Sequence, residues 1–255
     1  MPPEKAIISS TPRFNRLSLQ LRGGVTDYDY GSVTSSSGGV VTNDERDMRE
    51  LQAALRATWE FKPALLVFAE AQFLARVHGD VSASDGISRD SDGDRWRLGL
   101  SFGNKGQILR GEASVGWGRQ RPEDSRLAEI AGVIVDANLA WRINALSSLL
   151  LTARSDIGES TSAGSGGAVS RQAGIELRHA FRRDIIGTAG LRYAVQAYSG
   201  IDLTERELVA ALALERYLSR EVALFARYQH TNFDTDAIGR SYDADEFRIG
   251  MRIRR

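Results

Sequence analysis

The chain of 255 residues has no cysteine, five prolines and three histidines. Without cysteine there is no disulfide framework and no thiolate metal site; the lack also suits an oxidising compartment, though many cytosolic chains share it. Lys+Arg and Asp+Glu both number 33, so no net charge points to nucleic acid. No window approaches the roughly 18 consecutive apolar residues of a spanning helix. The opening Met1-Pro2-Pro3-Glu4-Lys5 has no apolar stretch of the signal-peptide kind. Phosphate-loop, dinucleotide and His-x-x-x-His patterns are missing as well. Hydropathy alone therefore describes a soluble protein, but barrels escape that test, because only alternate residues of each strand meet lipid.

What the chain does have is period two, through almost the whole sequence. Leu17, Leu19, Leu21 and Val25 share one face, and Ser18, Gln20, Arg22 and Thr26 the other. Leu51, Ala53, Leu55, Ala57, Trp59 and Phe61 alternate with Gln52, Arg56, Thr58 and Glu60. Trp96, Leu98, Leu100 and Phe102 alternate with Arg95, Arg97 and Ser101. Further segments cover 64–76, 109–120, 130–142, 147–156, 172–178, 188–196, 205–217, 221–230 and 247–253, giving twelve strands. Segment 205–217 has a composition that suits a helix equally; its alternating neighbours favour a strand.

Short turns at Lys62-Pro63, 103–106, 143–146, 182–184 and 219–221 alternate with longer links at 27–46, 77–92, 120–127, 156–170, 199–204 and 231–243. Outer-membrane barrels show this alternation, with short periplasmic turns and longer external loops. The expected fold is all-β: an antiparallel up-and-down transmembrane barrel over 13–255, behind a flexible segment 1–12, with both ends on the short-turn side. A soluble sandwich also alternates. Against it stand strands longer than the usual 5–6 residues, a polar face rich in Arg and Glu, and no crossing connections. Tyr28, Tyr30, Trp59, Phe61, Trp117, Trp141, Tyr198, Tyr217 and Tyr228 lie near strand ends, which fits interfacial girdles as well as ordinary strand composition.

The polar face is expected to line the lumen. Its cations are Arg22, Arg56, Arg76, Arg95, Arg97, Arg110, Arg154, Arg178, Arg192, Arg227, Arg248 and Arg252; its acids include Glu60, Glu70, Glu112, Asp136, Glu176, Glu207 and Glu215. Two roles fit together: bracing of the wall by cross-strand pairs, and a preference for anionic solutes from the excess of arginine. No catalytic residue, metal site or cofactor is expected. Asp90, Asp92 and Asp94 around Gly93 lack the positions of a calcium loop and are expected to be a solvated turn, as are Asp27/Asp29 and Asp234/Asp236. His78, His179 and His230 lie beside no serine and carboxylate at the spacing of a hydrolase triad.

Several stretches carry a family resemblance: Arg13-Phe14-Asn15-Arg16-Leu17-Ser18-Leu19, Arg89-Asp90-Ser91-Asp92-Gly93, Leu109-Arg110-Gly111-Glu112-Ala113 with Val115-Gly116, Tyr217-Leu218-Ser219-Arg220, and Arg248-Ile249-Gly250-Met251. In this order they resemble the carboxyl-terminal portion of the outer-membrane β-barrel porin family of Gram-negative bacteria, from about Arg13 to the end. Members usually carry a signal peptide and further amino-terminal strands, and several are associated with exopolysaccharide export. The resemblance implies an outer-membrane barrel, complete in twelve strands or part of a larger one. Its implied partners are membrane lipid and lipopolysaccharide, the barrel-insertion machinery, and a small hydrophilic solute or polysaccharide. A structural or adhesion barrel with a blocked lumen and partner-binding loops is the alternative. The ending Ile253-Arg254-Arg255 departs from the terminal aromatic common among outer-membrane proteins.

Overall fold

A computed structural model describes residues 4–34, 40–41, 47–81, 86–103, 108–158 and 165–253. Twelve long strands follow one another as sequence neighbours, each antiparallel to the last: β3 (Leu17–Tyr28), β6 (Met48–Lys62), β7 (Leu65–His78), β8 (Ser91–Phe102), β9 (Leu109–Pro122), β10 (Ile130–Arg142), β11 (Ser147–Gly158), β12 (Gly167–Ala180), β13 (Ile185–Ser199), β14 (Thr204–Tyr217), β15 (Val222–Thr235) and β16 (Tyr242–Ile253). With β1 (Glu4–Ser10) and β2 (Arg13–Phe14), both paired to β3, they form one 14-stranded sheet. β4 (Val33–Thr34) and β5 (Val40–Val41) make a small hairpin in the first long link. The turn expected at 103–106 lies, past Gly103, outside the described residues.

Local chemistry accounts for much of the connectivity. Asn15, at φ 54, makes the tight turn from β2 into β3, a conformation asparagine tolerates better than most side chains. The acid-and-alanine-rich β14 is a strand because ladders claim its backbone on both sides, Ile185↔Arg216 to Ala197↔Thr204 and Glu205↔Thr235 to Tyr217↔Ala223. Strand preference depends on such neighbours more than on composition.

Two expectations are corrected at the amino end. The segment 1–12, read as a flexible arm, contributes β1, which pairs with β3 from Glu4↔Asp27 to Ser10↔Leu21. Glu4 therefore lies at the long-loop end beside Asp27, whereas both ends were expected on the short-turn side. β1 and β16 are the edges of the sheet, and no ladder joins them among the described residues. Since β1 and β16 run the same way, a seam between them would be parallel, whereas β3 runs opposite to β16.

The alternation has an inside-out sense. On β8, Leu98 and Trp96 are 64% and 53% exposed, while the side chains of Arg95 and Arg97 are 17% and 23% exposed. Leu191, Leu212, Phe247 and Ile249 on later strands are exposed as well. A sandwich would bury the apolar face against a second sheet; here one sheet leaves that face outermost. This wall is a lipid belt, and the charged face is the interior.

Candidate functional site: the arginine-rich interior

The interior of the first half of the sheet is organised around Glu70, a β7 carboxylate only 5% exposed in its side chain. Register places Arg56 of β6 and Arg97 of β8 opposite it. Arg97 Nη2 lies 2.8 Å from Glu70 Oε1 and donates to Gln72 Oε1 at 3.1 Å. Arg22 reaches over β6 from β3, its Nη2 2.5 Å from Glu70 Oε2. Arg56 lies 3.9 Å from Glu70 and forks onto Glu112 of β9, with Nη1–Oε1 at 3.0 Å and Nη2–Oε2 at 2.5 Å. Ser101 Oγ donates to the same Glu112 at 2.6 Å. Beneath the fork, the Arg56 guanidinium carbon sits 3.5 Å from the centre of the buried Phe68 ring. Phe68 fits because Gly99 lies against it: a Cβ there would stand 2.3 Å from Phe68 Cζ and 2.6 Å from the Ala113 carbonyl. Strand spacing, ring and guanidinium thus form one packed block whose charges are tied together by ion pairs, of which Arg56–Glu112 is bidentate.

Arg95 spans farther, from β8 to β11, with Nη2 2.7 Å from Asp156 and donating at 2.9 Å to the Ile157 carbonyl. That reach depends on a sharp corner in the wall. β10 and β11 pair only from Asp136↔Arg154 to Arg142↔Ser148. Above this level Ile157, 1% exposed, packs on Ile130 and Ile134 with Val169 beside them. Side chains of the links meet over this corner: Arg89 donates to the Ser165 carbonyl, and Arg126 Nη2 to the Gly86 carbonyl at 3.3 Å. Arg126 also clasps Asp124 at 2.5 Å, and these hydrogen bonds hold the Asp124 carboxyl down at about 2, ionised through the physiological range.

The other expected lumen residues do not converge. Arg76 pairs with Glu50 opposite it at 2.9 Å, Arg192 with Glu207 at 2.5 Å, and Arg252 with Glu215 at 2.6 Å. Arg227 donates to Gln229 at 3.0 Å, and Arg248 to Glu246. Among the described residues Arg110, Arg154, Arg178 and Glu176 make no ion pair. Arg110, Glu112, Ser101 and Asn138 line a cavity of about 610 Å³ near the short-turn end.

Asp27 and Asp234, expected in solvated turns, belong to β3 and β15. Asp92 and Asp94, expected in a solvated turn, belong to β8, and Asp94 is buried. It accepts from Arg119 Nη2 at 2.9 Å, Arg121 Nη2 at 3.2 Å and Trp96 Nε1 at 3.1 Å, anchoring an outward tryptophan at the upper rim of the belt. Asp90 instead accepts the His78 backbone N–H at 2.7 Å. His179 does meet a serine, with Ser147 Oγ 2.9 Å from its Nδ1. Its ring stands edge-on to Phe181 at 4.7 Å, and no carboxylate orients it among the described residues.

No curated protein matches the chain. Among solved structures it is similar to in-vitro folded OmpT, an outer membrane protein of Vibrio cholerae, at 11% identity and a TM-score of 0.38, over 95% of this chain and 99% of that one. The family model described as "Putative beta-barrel porin 2" matches residues 5–255. With nearly its whole length matched, the chain belongs to this β-barrel porin family, and it is a protein of the outer membrane.

Proposed function

We propose that the barrel passes hydrophilic anionic solutes across the outer membrane. One observation carries the reading: inward-facing Arg110, Arg154 and Arg178 keep their charge without an ion pair among the described residues, while most other lumen arginines are tied to a carboxylate or amide. Paired arginines brace the wall; unpaired ones attract anions in a water-filled interior. An acidic exopolysaccharide is the candidate cargo, its spaced carboxylates suiting cations distributed along β9, β11 and β12. A second reading is an occluded lumen, favoured by the Arg95–Asp156 span and the Ile130–Ile134–Ile157 cluster that fill the corner below the long links. Neither reading involves catalysis.

Reversal potentials in a planar bilayer under a KCl gradient test both. The porin reading predicts stable openings with chloride preference, reduced when Arg110, Arg154 and Arg178 are replaced together by glutamine. Cation preference untouched by that replacement contradicts it. Silence from a folded barrel selects the occluded reading.

A further inference from the structure

On the outer wall of the last five strands, register aligns the lipid-facing side chains in rows. One row runs Leu177, Ala189, Leu212, Tyr228, Phe247 from β12 to β16; the next, toward the short turns, runs His179, Gly187, Leu214, Ala226, Ile249. Leu212 and Leu214 of β14 thus stand beside small Ala189 and Gly187 of β13, and Leu214 also beside small Ala226 of β15, opening an apolar groove of about 370 Å³. Its lower rim is built. Phe181 folds over Gly187, where a Cβ would stand 2.6 Å from its ring, and it stacks edge-on to His179. One row further down, at the level of Ile185 and Leu224, the outward residue of β14 is Arg216. Its side chain is 63% exposed, and its acid neighbour Asp184 is 3.9 Å away. The adjoining turns add exposed Arg182, Arg183 and Arg220 against Asp184 and Glu221, a cationic margin at the mouth of an apolar slot.

We infer that this groove is a binding site for one phospholipid with an anionic headgroup, in the leaflet on the short-turn side. One acyl chain lies over Gly187 and Ala189, between Leu177 and the Leu212–Leu214 ridge, the other over Ala226 on the far side of that ridge, and the phosphodiester meets Arg216. Shape and charge act at adjoining levels of the wall, as a single amphipathic ligand requires. A lipid without net negative charge fills the groove but leaves the cationic margin unmatched. A basic residue beside an anionic headgroup contributes about 1 kcal/mol, or about fivefold in affinity.

Native mass spectrometry of the full chain folded in detergent, titrated in parallel with dioleoylphosphatidylglycerol and dioleoylphosphatidylcholine, tests this. One phosphatidylglycerol is retained about fivefold more tightly than phosphatidylcholine. Arg216→Gln removes the preference and keeps the weaker binding, whereas Ala189→Leu, which fills the slot, weakens both lipids. Gel mobility of unheated samples shows that each variant is folded, and Ala226→Leu replaces Ala189→Leu if that barrel fails to form. Equal retention of the two lipids by the wild type, or phosphatidylglycerol binding unchanged in the charge and slot variants, overturns the assignment.

Discussion

Replacing Glu70 by glutamine lowers barrel stability by about 3 kcal/mol, whereas Glu176→Gln on the same interior face changes it by less than about 0.5 kcal/mol. Three arginines lean on the Glu70 carboxylate, and glutamine leaves Arg22 and Arg97 facing each other over an amide. Removing one partner of a buried ion pair typically costs 3–5 kcal/mol, because the remaining charge stays desolvated. The lower end applies here, since Arg22 is 42% exposed and Arg56 keeps its fork on Glu112. Glu176 makes no ion pair among the described residues, so its neutralisation disturbs nothing. Urea unfolding of both variants from lipid measures the difference. Equal, small effects would mean that the Glu70 cluster does not brace the wall.

Leu98→Arg costs about 2–4 kcal/mol in a bilayer, the range for a cation near the midplane of a barrel wall. Leu98 lies between Ala69 and Val115, two residues from each of Trp96 and Leu100 on the same outward row. The contrast is with Asn138→Arg on the interior face, expected to cost less than about 1 kcal/mol because its charge enters a wet lumen. In water, a residue 64% exposed would accept arginine at little cost. A large penalty in lipid therefore reports the solvent of that face and not a packing defect. Refolding yield and urea midpoints in the same vesicles give the comparison.

The wall of this protein is legible residue by residue because the side-chain period of a strand admits no drift. Leu98 and Arg97 take opposite faces whatever the curvature. Even β14, helix-like in composition, follows from the alternation of Leu208, Ala210, Leu212 and Leu214. β1 escaped that reading because Ile7 and Ile8 are adjacent apolar residues that break the pattern within a seven-residue strand. Asp92 and Asp94 read as a turn in the sequence because acids and glycine dominate the start of β8; Arg119 and Arg121 on the neighbouring strand make a carboxylate tolerable there.

The interior is legible only as far as register reaches. Arg56↔Glu70, Glu70↔Arg97 and Glu50↔Arg76 are opposite neighbours, and their pairing follows once the hairpins are known. Arg22 to Glu70 crosses one strand, Arg56 to Glu112 two, and Arg95 to Asp156 two. Those distances are set by curvature, including the corner between β10 and β11, and no spacing in the sequence encodes curvature. For the same reason the lumen arginines look equivalent in the sequence but divide in the structure into braces tied to a carboxylate or amide and Arg110, Arg154 and Arg178, which have no such partner among the described residues.

The central claim is that the apolar face meets lipid and the arginine face meets water. The chain has no cysteine, so single cysteines along β13 can each carry a nitroxide without a background signal. Collision rates with oxygen, which concentrates in lipid, and with a water-soluble nickel chelate are then compared at Leu191, Arg192, Tyr193, Ala194, Val195 and Gln196 in bilayers. The prediction is a strict period of two, with oxygen dominating at Leu191, Tyr193 and Val195 and the chelate at Arg192, Ala194 and Gln196. Uniform accessibility, or chelate contact at the leucine, tyrosine and valine positions, would contradict it.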